Sequence, residues 1–309
     1  MDGSVDWTPL ACSADLLGES PFWHPDEQRL YWVDIPGQRL RRIDPRAGVA
    51  DDWAMPSEPG CIAPVTAGGL VIALRDGIYR APHWGGALQL LHPASHDTAT
   101  MRFNDGKADA LGRFWAGNLI SPRTRPDAAL YMLDLRHGAP ARWQRMLDGA
   151  FTANGLAWSP DARTLYWSDT PSHRIRAWDW DAQAGVLSGE RVFHHFEPKP
   201  AGWTTGPGYG GRPDGATVDA EGNYWVAMYE GARVCQFAPD GQLLRELPVP
   251  AQCPTMPCLG GPDLRTLYVT TACEGRPAEE LARYPHSGCV FSTRVEVPGR
   301  VVDRFRHDG

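Results

Sequence analysis

A two-strand unit recurs six times along this chain, and its period limits the possible folds more than any other feature. The clearest copy is TANGLAWSPDARTLYWSD, Thr152 to Asp169. It holds an Asn-Gly pair, a short apolar run, a Ser-Pro-Asp turn and an aromatic-rich run of strand-forming residues. Near matches lie at Glu19–Asp34 and Asp214–Met228, Asn104–Asn118 follows the same plan, and weaker copies lie at Cys61–Leu74 and Met256–Thr270. With the middle of the second strand as marker (Trp32, Ile72, Trp115, Trp167, Trp225, Val269), the steps are 40, 43, 52, 58 and 44 residues. Repeats of about 40–50 residues with several strands each mark a β-propeller, here all-β with six blades of four strands around a central channel.

Composition agrees. The 309 residues include 33 Gly and 28 Pro, with no long periodic apolar run of helical character. Because the repeat runs nearly end to end, one domain over residues 1–309 is expected despite the length. Lys and Arg are scattered and the net charge is −7, so no nucleic-acid partner is indicated. The apolar runs are too short to cross a bilayer, and Met1 to Trp7 lack the parts of a signal peptide. Seven cysteines, none in a Cys-x-x-Cys arrangement, fit reduced thiols and a cytoplasmic location. The sequence leaves the oligomeric state open.

The repeat divides the chain into blades that begin at Glu19, Cys61, Asn104, Asn154, Asp214 and Met256. Trp7–Cys12 is expected to pair with the last blade and close the ring, which removes exposed sheet edges. Val301–Phe305 reads as a further short strand. Glu197–Gly211 exceeds a minimal blade. It is rich in glycine and proline, carries Trp203 and Tyr209, and reads either as a solvent loop or as a rim over the propeller mouth.

The six starting residues occupy the same position on each innermost strand, so they should ring one end of the channel. Two carboxylates and two side-chain amides buried together need a cation or full hydrogen bonding. A divalent metal meets that need, with Glu19 and Asp214 supplying charge, Asn154 a carbonyl oxygen and water the remaining positions. Ca, Zn, Mn, Mg and Fe are not distinguished by such a set. The opposing view is that Asn-Gly and Asp-Gly are ordinary turn dipeptides. Turn bracing does not require Glu19, however, and four oxygen-bearing residues in register favour the ring. Cys61 is expected to line the site without binding metal. Arg102, two residues before Asn104 on the same strand face, could point to the channel mouth.

Gly18-Glu19-Ser20-Pro21, Arg102-Phe103-Asn104-Asp105-Gly106-Lys107, Asn154-Gly155-Leu156-Ala157-Trp158-Ser159 and Arg212-Pro213-Asp214-Gly215 together resemble the regucalcin and gluconolactonase family of six-bladed propellers. The resemblance covers almost the whole chain. It implies hydrolysis of a sugar lactone, one divalent metal on Glu19, Asn154 and Asp214, and substrate held by Arg102 and Asn104. It also implies a substrate contact near Ser121, where regucalcin has an acidic residue, and this departure leaves open the identity of the sugar rather than the reaction. Asp214 is the expected general base.

Competing readings carry less. There is no Gly-x-Ser-x-Gly and no His-Glu-x-x-His, and His194 and His195 read as surface or loop residues. An organophosphate or aryl-ester hydrolase of the same fold is the nearer alternative. A non-catalytic interaction propeller is the other, because Leu30-Tyr31-Trp32-Val33-Asp34 resembles the Tyr-Trp-Thr-Asp repeats of such modules. Such a module would not need two carboxylates in its channel.

Overall fold

Each repeat folds into a four-stranded antiparallel sheet, and the six sheets form a six-bladed propeller in the computed structural model, which describes residues 5–11, 14–138 and 140–307. In blade four, Ala153–Trp158 pairs with Thr164–Asp169 across the Ser159-Pro160-Asp161 turn. Asp161 braces that turn by accepting hydrogen bonds from the Ser159 hydroxyl at 2.6 Å and the Arg163 N–H at 3.1 Å. The first strands, Gly18–His24, Pro59–Pro64, Met101–Ala108, Ala153–Trp158, Arg212–Val218 and Pro254–Gly260, touch one another in a closed circle and line the channel.

The core lies between blades. Trp32, Trp115, Trp167 and Trp225, four of the six repeat markers, are fully buried. An indole N–H needs a partner when buried. Trp32, Trp115 and Trp225 donate to the buried carboxylates of Asp15, Asp109 and Asp219 at 2.8, 2.8 and 2.9 Å. Arg41, Arg176 and Arg245 lie over the rings of Trp32, Trp167 and Trp225 at 5.2, 4.9 and 5.0 Å. Three of the four marker tryptophans are thus held at the edge by an acid and three on the face by an arginine, with both present at Trp32 and Trp225.

Ring closure follows the expected route. Thr8–Ala11 is the outer strand of the last blade, paired antiparallel with Val290–Arg294, while Cys12 lies outside the described residues. Among the described residues no disulfide joins the six cysteines. The C-terminal segment differs from expectation. Val301–Phe305 forms no strand; it makes a single parallel bridge between Phe305 and Val65. Arg306 N–H then donates to Gly112 O at 2.8 Å and Arg304 reaches Asp26 at 2.7 Å, so the segment runs across blades one to three. Arg300 to Asp303 line a cavity that also takes in Met256 and Lys107. A short helix, Ala278–Arg283, interrupts blade six, where no helical pattern was apparent in the sequence.

Asp219 also accepts from the backbone N–H groups of Glu221 and Asn223 and from the Gln236 side chain, at 3.0, 2.9 and 3.2 Å. Asp219→Ala leaves the buried donors of Trp225, Gln236 and both nitrogens of Asn223 without their acceptor, and it should lower stability by about 3–5 kcal/mol, since each buried donor left unsatisfied costs about 1–3 kcal/mol. Urea unfolding followed by tryptophan fluorescence measures this; a loss under about 1 kcal/mol would mean that the network does not hold the blade.

Candidate functional site

Four of the six inner strands carry a bulge immediately at the ring position. Regular pairing with the second strand breaks between Glu19 and Phe22, Phe103 and Gly106, Asn154 and Ala157, and Pro213 and Ala216. A bulge re-aims side chains that a regular strand would place on a fixed face. Glu19, Asn104, Asn154 and Asp214 all line one cavity of about 210 Å³. All four are buried. The Asn-Gly dipeptide therefore serves a bulge, where Gly155 takes φ +60° and a Cβ would lie 2.5 Å from the Tyr224 hydroxyl oxygen.

In blades two and six the irregularity comes earlier, between Pro59 and Cys61 and between Pro254 and Met256, and regular pairing resumes at the ring residue itself. A one-residue change in register reverses the face a side chain meets. Cys61 accordingly packs in the apolar core between blades two and three, and Met256 lines the cavity beside the C-terminal segment. The expectation that Cys61 lines the site is corrected.

The same cavity is lined by the residues two positions upstream: Leu17, Arg102, Thr152 and Arg212. The aspartate that ends a second strand helps to fix this tier. Asp34 accepts from the Leu17 N–H at 3.1 Å, and Asp169 accepts from the Phe151 and Thr152 N–H groups, each at 3.0 Å. The Tyr-Trp-x-Asp pattern thus has a structural role here.

A directed chain of hydrogen bonds crosses three blades. Arg102 Nη1 donates to Asn104 Oδ1 at 2.8 Å, Asn104 Nδ2 to Asn154 Oδ1 at 2.8 Å, and Asn154 Nδ2 to Asp214 Oδ1 at 2.6 Å. Asn154 Nδ2 also reaches Thr170 Oγ1 at 2.8 Å. Glu19 accepts from the N–H of Ser20 at 3.2 Å. Burial pushes its carboxyl well above the usual range, reinforced by the charges of Asp214 and Asp105. Burial likewise pushes Asp214 up to about 8, against the pull of Arg212.

Two carboxylates held together out of water are unfavourable unless a cation joins them. The donor set fits a divalent ion: Asp214 keeps Oδ2, Glu19 keeps an oxygen, and the amide oxygen of Asn154 keeps a lone pair after accepting from Asn104. Among the described residues no three His, Cys, Asp or Glu side chains converge as a metal cluster, so any such site depends on the amide.

Ser121 is exposed and lies outside the cavity wall. Arg123, two residues on, reaches the cavity instead and donates from Nε to Thr152 Oγ1 at 2.9 Å. Arg123, Arg212 and Tyr229 were missed in the sequence. Arg212 had a legible signal, since it precedes Asp214 by the same two residues that separate Arg102 from Asn104. Arg123 had none, because it comes from a loop beyond the repeat. His194 and His195 sit at the end of an outer strand and do not line the cavity. The segment Glu197–Gly211 is tied to the site end through Lys199–Glu230 at 2.9 Å and Tyr209–His173 at 2.6 Å, and it supplies no residue to the cavity wall.

A propeller whose channel mouth gathers two carboxylates, two amides and two tiers of inner-strand side chains defines a class. This chain belongs to the family described as the SMP-30/gluconolactonase/LRE-like region, whose model matches residues 17–273. It is 45% identical to the 6-deoxy-6-sulfogluconolactonase of Pseudomonas putida over 92% of this chain and 93% of that protein. It is 36% identical to zebrafish (Danio rerio) regucalcin over 89% of each. Among solved structures, a regucalcin from Agrobacterium tumefaciens, described as a calcium-binding protein, superposes with a TM-score of 0.88 at 26% identity over 98% of both chains.

The buried charge makes a thermal prediction. In chelator, Glu19→Gln should unfold at a higher temperature than the parent by roughly 2–4 °C, the shift that about 1 kcal/mol gives in a large domain. Added divalent ion should then raise the parent and leave the variant little changed. Identical melting curves for the two proteins in both buffers would mean that Glu19 carries no such unfavourable charge.

Proposed function

We propose that this protein hydrolyses an aldonolactone to the aldonic acid with the help of one divalent metal ion. The observation that carries the reading is the convergence of Glu19, Asn154 and Asp214 in a cavity whose wall also holds Arg102 and Asn104. At about 210 Å³ that cavity is smaller than pockets for drug-sized ligands and suits a single sugar ring. Family membership and the sulfogluconolactonase relative support lactone chemistry, and make 6-deoxy-6-sulfogluconolactone a substrate to assay beside gluconolactone.

Glu19, Asn154 and Asp214 would hold the ion, which when bound supplies a Lewis acid for the carbonyl oxygen and lowers the pKa of water. The chain's own groups do the rest. Asp214 accepts the proton of the attacking water; burial makes this carboxylate more basic, and Oδ1, which accepts one hydrogen bond from Asn154, keeps a lone pair for that proton while Oδ2 would face the ion. Arg102 and Asn104 orient the sugar hydroxyls, with the Arg102 guanidinium itself held by Asn104 Oδ1 and by Phe103 O at 2.9 Å. Asn104 also fixes the Asn154 amide, so its loss should affect ion affinity as well as substrate.

Metal-defined enzyme should be compared on pentono- and hexonolactones, aryl esters and phosphotriesters. The proposal expects the highest kcat/KM on an aldonolactone and loss of turnover after exhaustive chelation. Faster turnover of an aryl ester or phosphotriester would select the alternative esterase reading.

Asp214→Asn separates the two roles of Asp214, because an amide offers an oxygen to an ion but accepts no proton. The variant should bind the ion more weakly than the parent but retain at least some of it, measured by elemental analysis, while lactonase activity per bound ion falls on the order of 10²–10⁴-fold, the range for loss of a general base. Turnover near that of the parent would place the base elsewhere.

A further inference from the structure

Three arginines enter the cavity, and the proposed reaction gives a role to Arg102 alone. Arg212 comes from the upstream tier of blade five and Arg123 from the loop that follows Phe114–Ile120 in blade three. They reach the same cavity from different blades, and Tyr229 lies beneath Arg212, 5.3 Å from its guanidinium carbon. The Arg123 side chain is steered inward by its bond to Thr152, itself a member of that tier.

Charge around this wall is unevenly matched. Buried Glu230 faces three cations, Lys199 at 2.9 Å, Arg276 at 3.0 Å and Arg212 at 3.2 Å, although Arg276 is also paired with Glu280 at 2.6 Å. Arg123 bonds to a neutral hydroxyl, and Arg102 to neutral oxygens. The acids in the cavity wall are Glu19 and Asp214, assigned above to a divalent ion, and Glu274, which is exposed. Withdrawal from water, followed by the like charge of Arg212, holds Arg123 below the usual arginine range. Two guanidinia brought together in this way repel each other until an anion lies between them.

We infer that Arg123 and Arg212 form an anion-binding subsite, so that the preferred substrate is a sugar lactone bearing a fixed negative group, such as a sulfonate, away from its carbonyl. This inference rests on the lactonase reading and adds to it the residues that set selectivity. The planar guanidinium offers paired N–H donors to the oxygens of a sulfonate or phosphate, whereas a neutral hydroxymethyl group gives it no charge to meet. The end of the sugar distal to the carbonyl then meets Arg123 and Arg212 while Arg102 and Asn104 keep the ring hydroxyls.

The test compares kcat/KM for 6-deoxy-6-sulfogluconolactone, 6-phosphogluconolactone and gluconolactone, using the full chain with its metal. The parent should favour a charged lactone over gluconolactone by at least about tenfold, and Arg123→Met should reduce that ratio on the order of 10–100-fold, the effect of losing one charge-assisted hydrogen bond. Arg212→Lys, which keeps the charge opposite Glu230, should reduce it less. The sulfonated and phosphorylated arms decide which anion fits. A ratio near one in the parent, or a ratio unchanged by both variants, overturns the subsite. If no lactone is turned over, the lactonase reading fails separately. Calorimetric binding of 6-deoxy-6-sulfogluconate against gluconate then decides the subsite alone, and equal affinities for the two acids overturn it.

Discussion

Two carboxylates share one buried cavity, and the rest of the architecture follows from holding them there. Glu19 belongs to blade one and Asp214 to blade five, so neither local turn chemistry nor a single sheet brings them together. The closed ring of inner strands does so. Each acid is withdrawn from water, which would favour splaying or local unfolding unless the backbone on both sides is fixed. That backbone is fixed beside each acid: the Thr255 hydroxyl donates to Gly18 O and the Ser20 hydroxyl accepts from the Ile62 N–H at 3.0 Å, while the Ser168 hydroxyl donates to Asp214 O at 3.2 Å. The directed chain from Arg102 through Asn104 and Asn154 to Asp214 then aligns the polar groups across blades three, four and five.

Rigidity is supplied from the outside inward. The marker tryptophans fill the space between adjacent sheets, and their indole N–H groups are held by buried aspartates in blades one, three and five. The N-terminal strand completes the sixth sheet, and the C-terminal segment ties blades one to three together through Asp26, Val65 and Gly112. A site built on strands in such a frame can place side chains from several blades without relying on loops. Among the charged side chains of the wall, Arg123 and Glu274 come from outside the strands, and the proposed anion subsite draws on the first.

Much of this was legible in the sequence because the repeat has a register. Counting back from Trp32, Trp115, Trp167 and Trp225 finds Glu19, Asn104, Asn154 and Asp214, and all four line one cavity. The same count also returns Cys61 and Met256, which point elsewhere. The difference lies in where pairing breaks: in blades two and six it resumes at the ring residue, whereas in the others the break starts at that residue or takes it in. No composition signal marks a bulge's position to one residue, so the count could not separate the two groups. Ser121 shows another limit. Proximity in sequence named the loop correctly, yet it is Arg123 that reaches inward, and that depends on Thr152 at the entry to the neighbouring blade four rather than on anything near it in the chain. Val301–Phe305 looked like a strand by composition and instead makes one bridge, at Phe305 to Val65, in a segment that passes across three blades.

The central claim is that Glu19, Asn154 and Asp214 hold one divalent ion at the channel mouth. Anomalous diffraction from crystals grown with Mn²⁺ addresses it without reference to activity. The account predicts one strong peak within about 2.5 Å of an oxygen from each of the three side chains, as expected for a hard divalent ion on oxygen ligands. A cavity without a peak, or a peak bound by other residues, would contradict it.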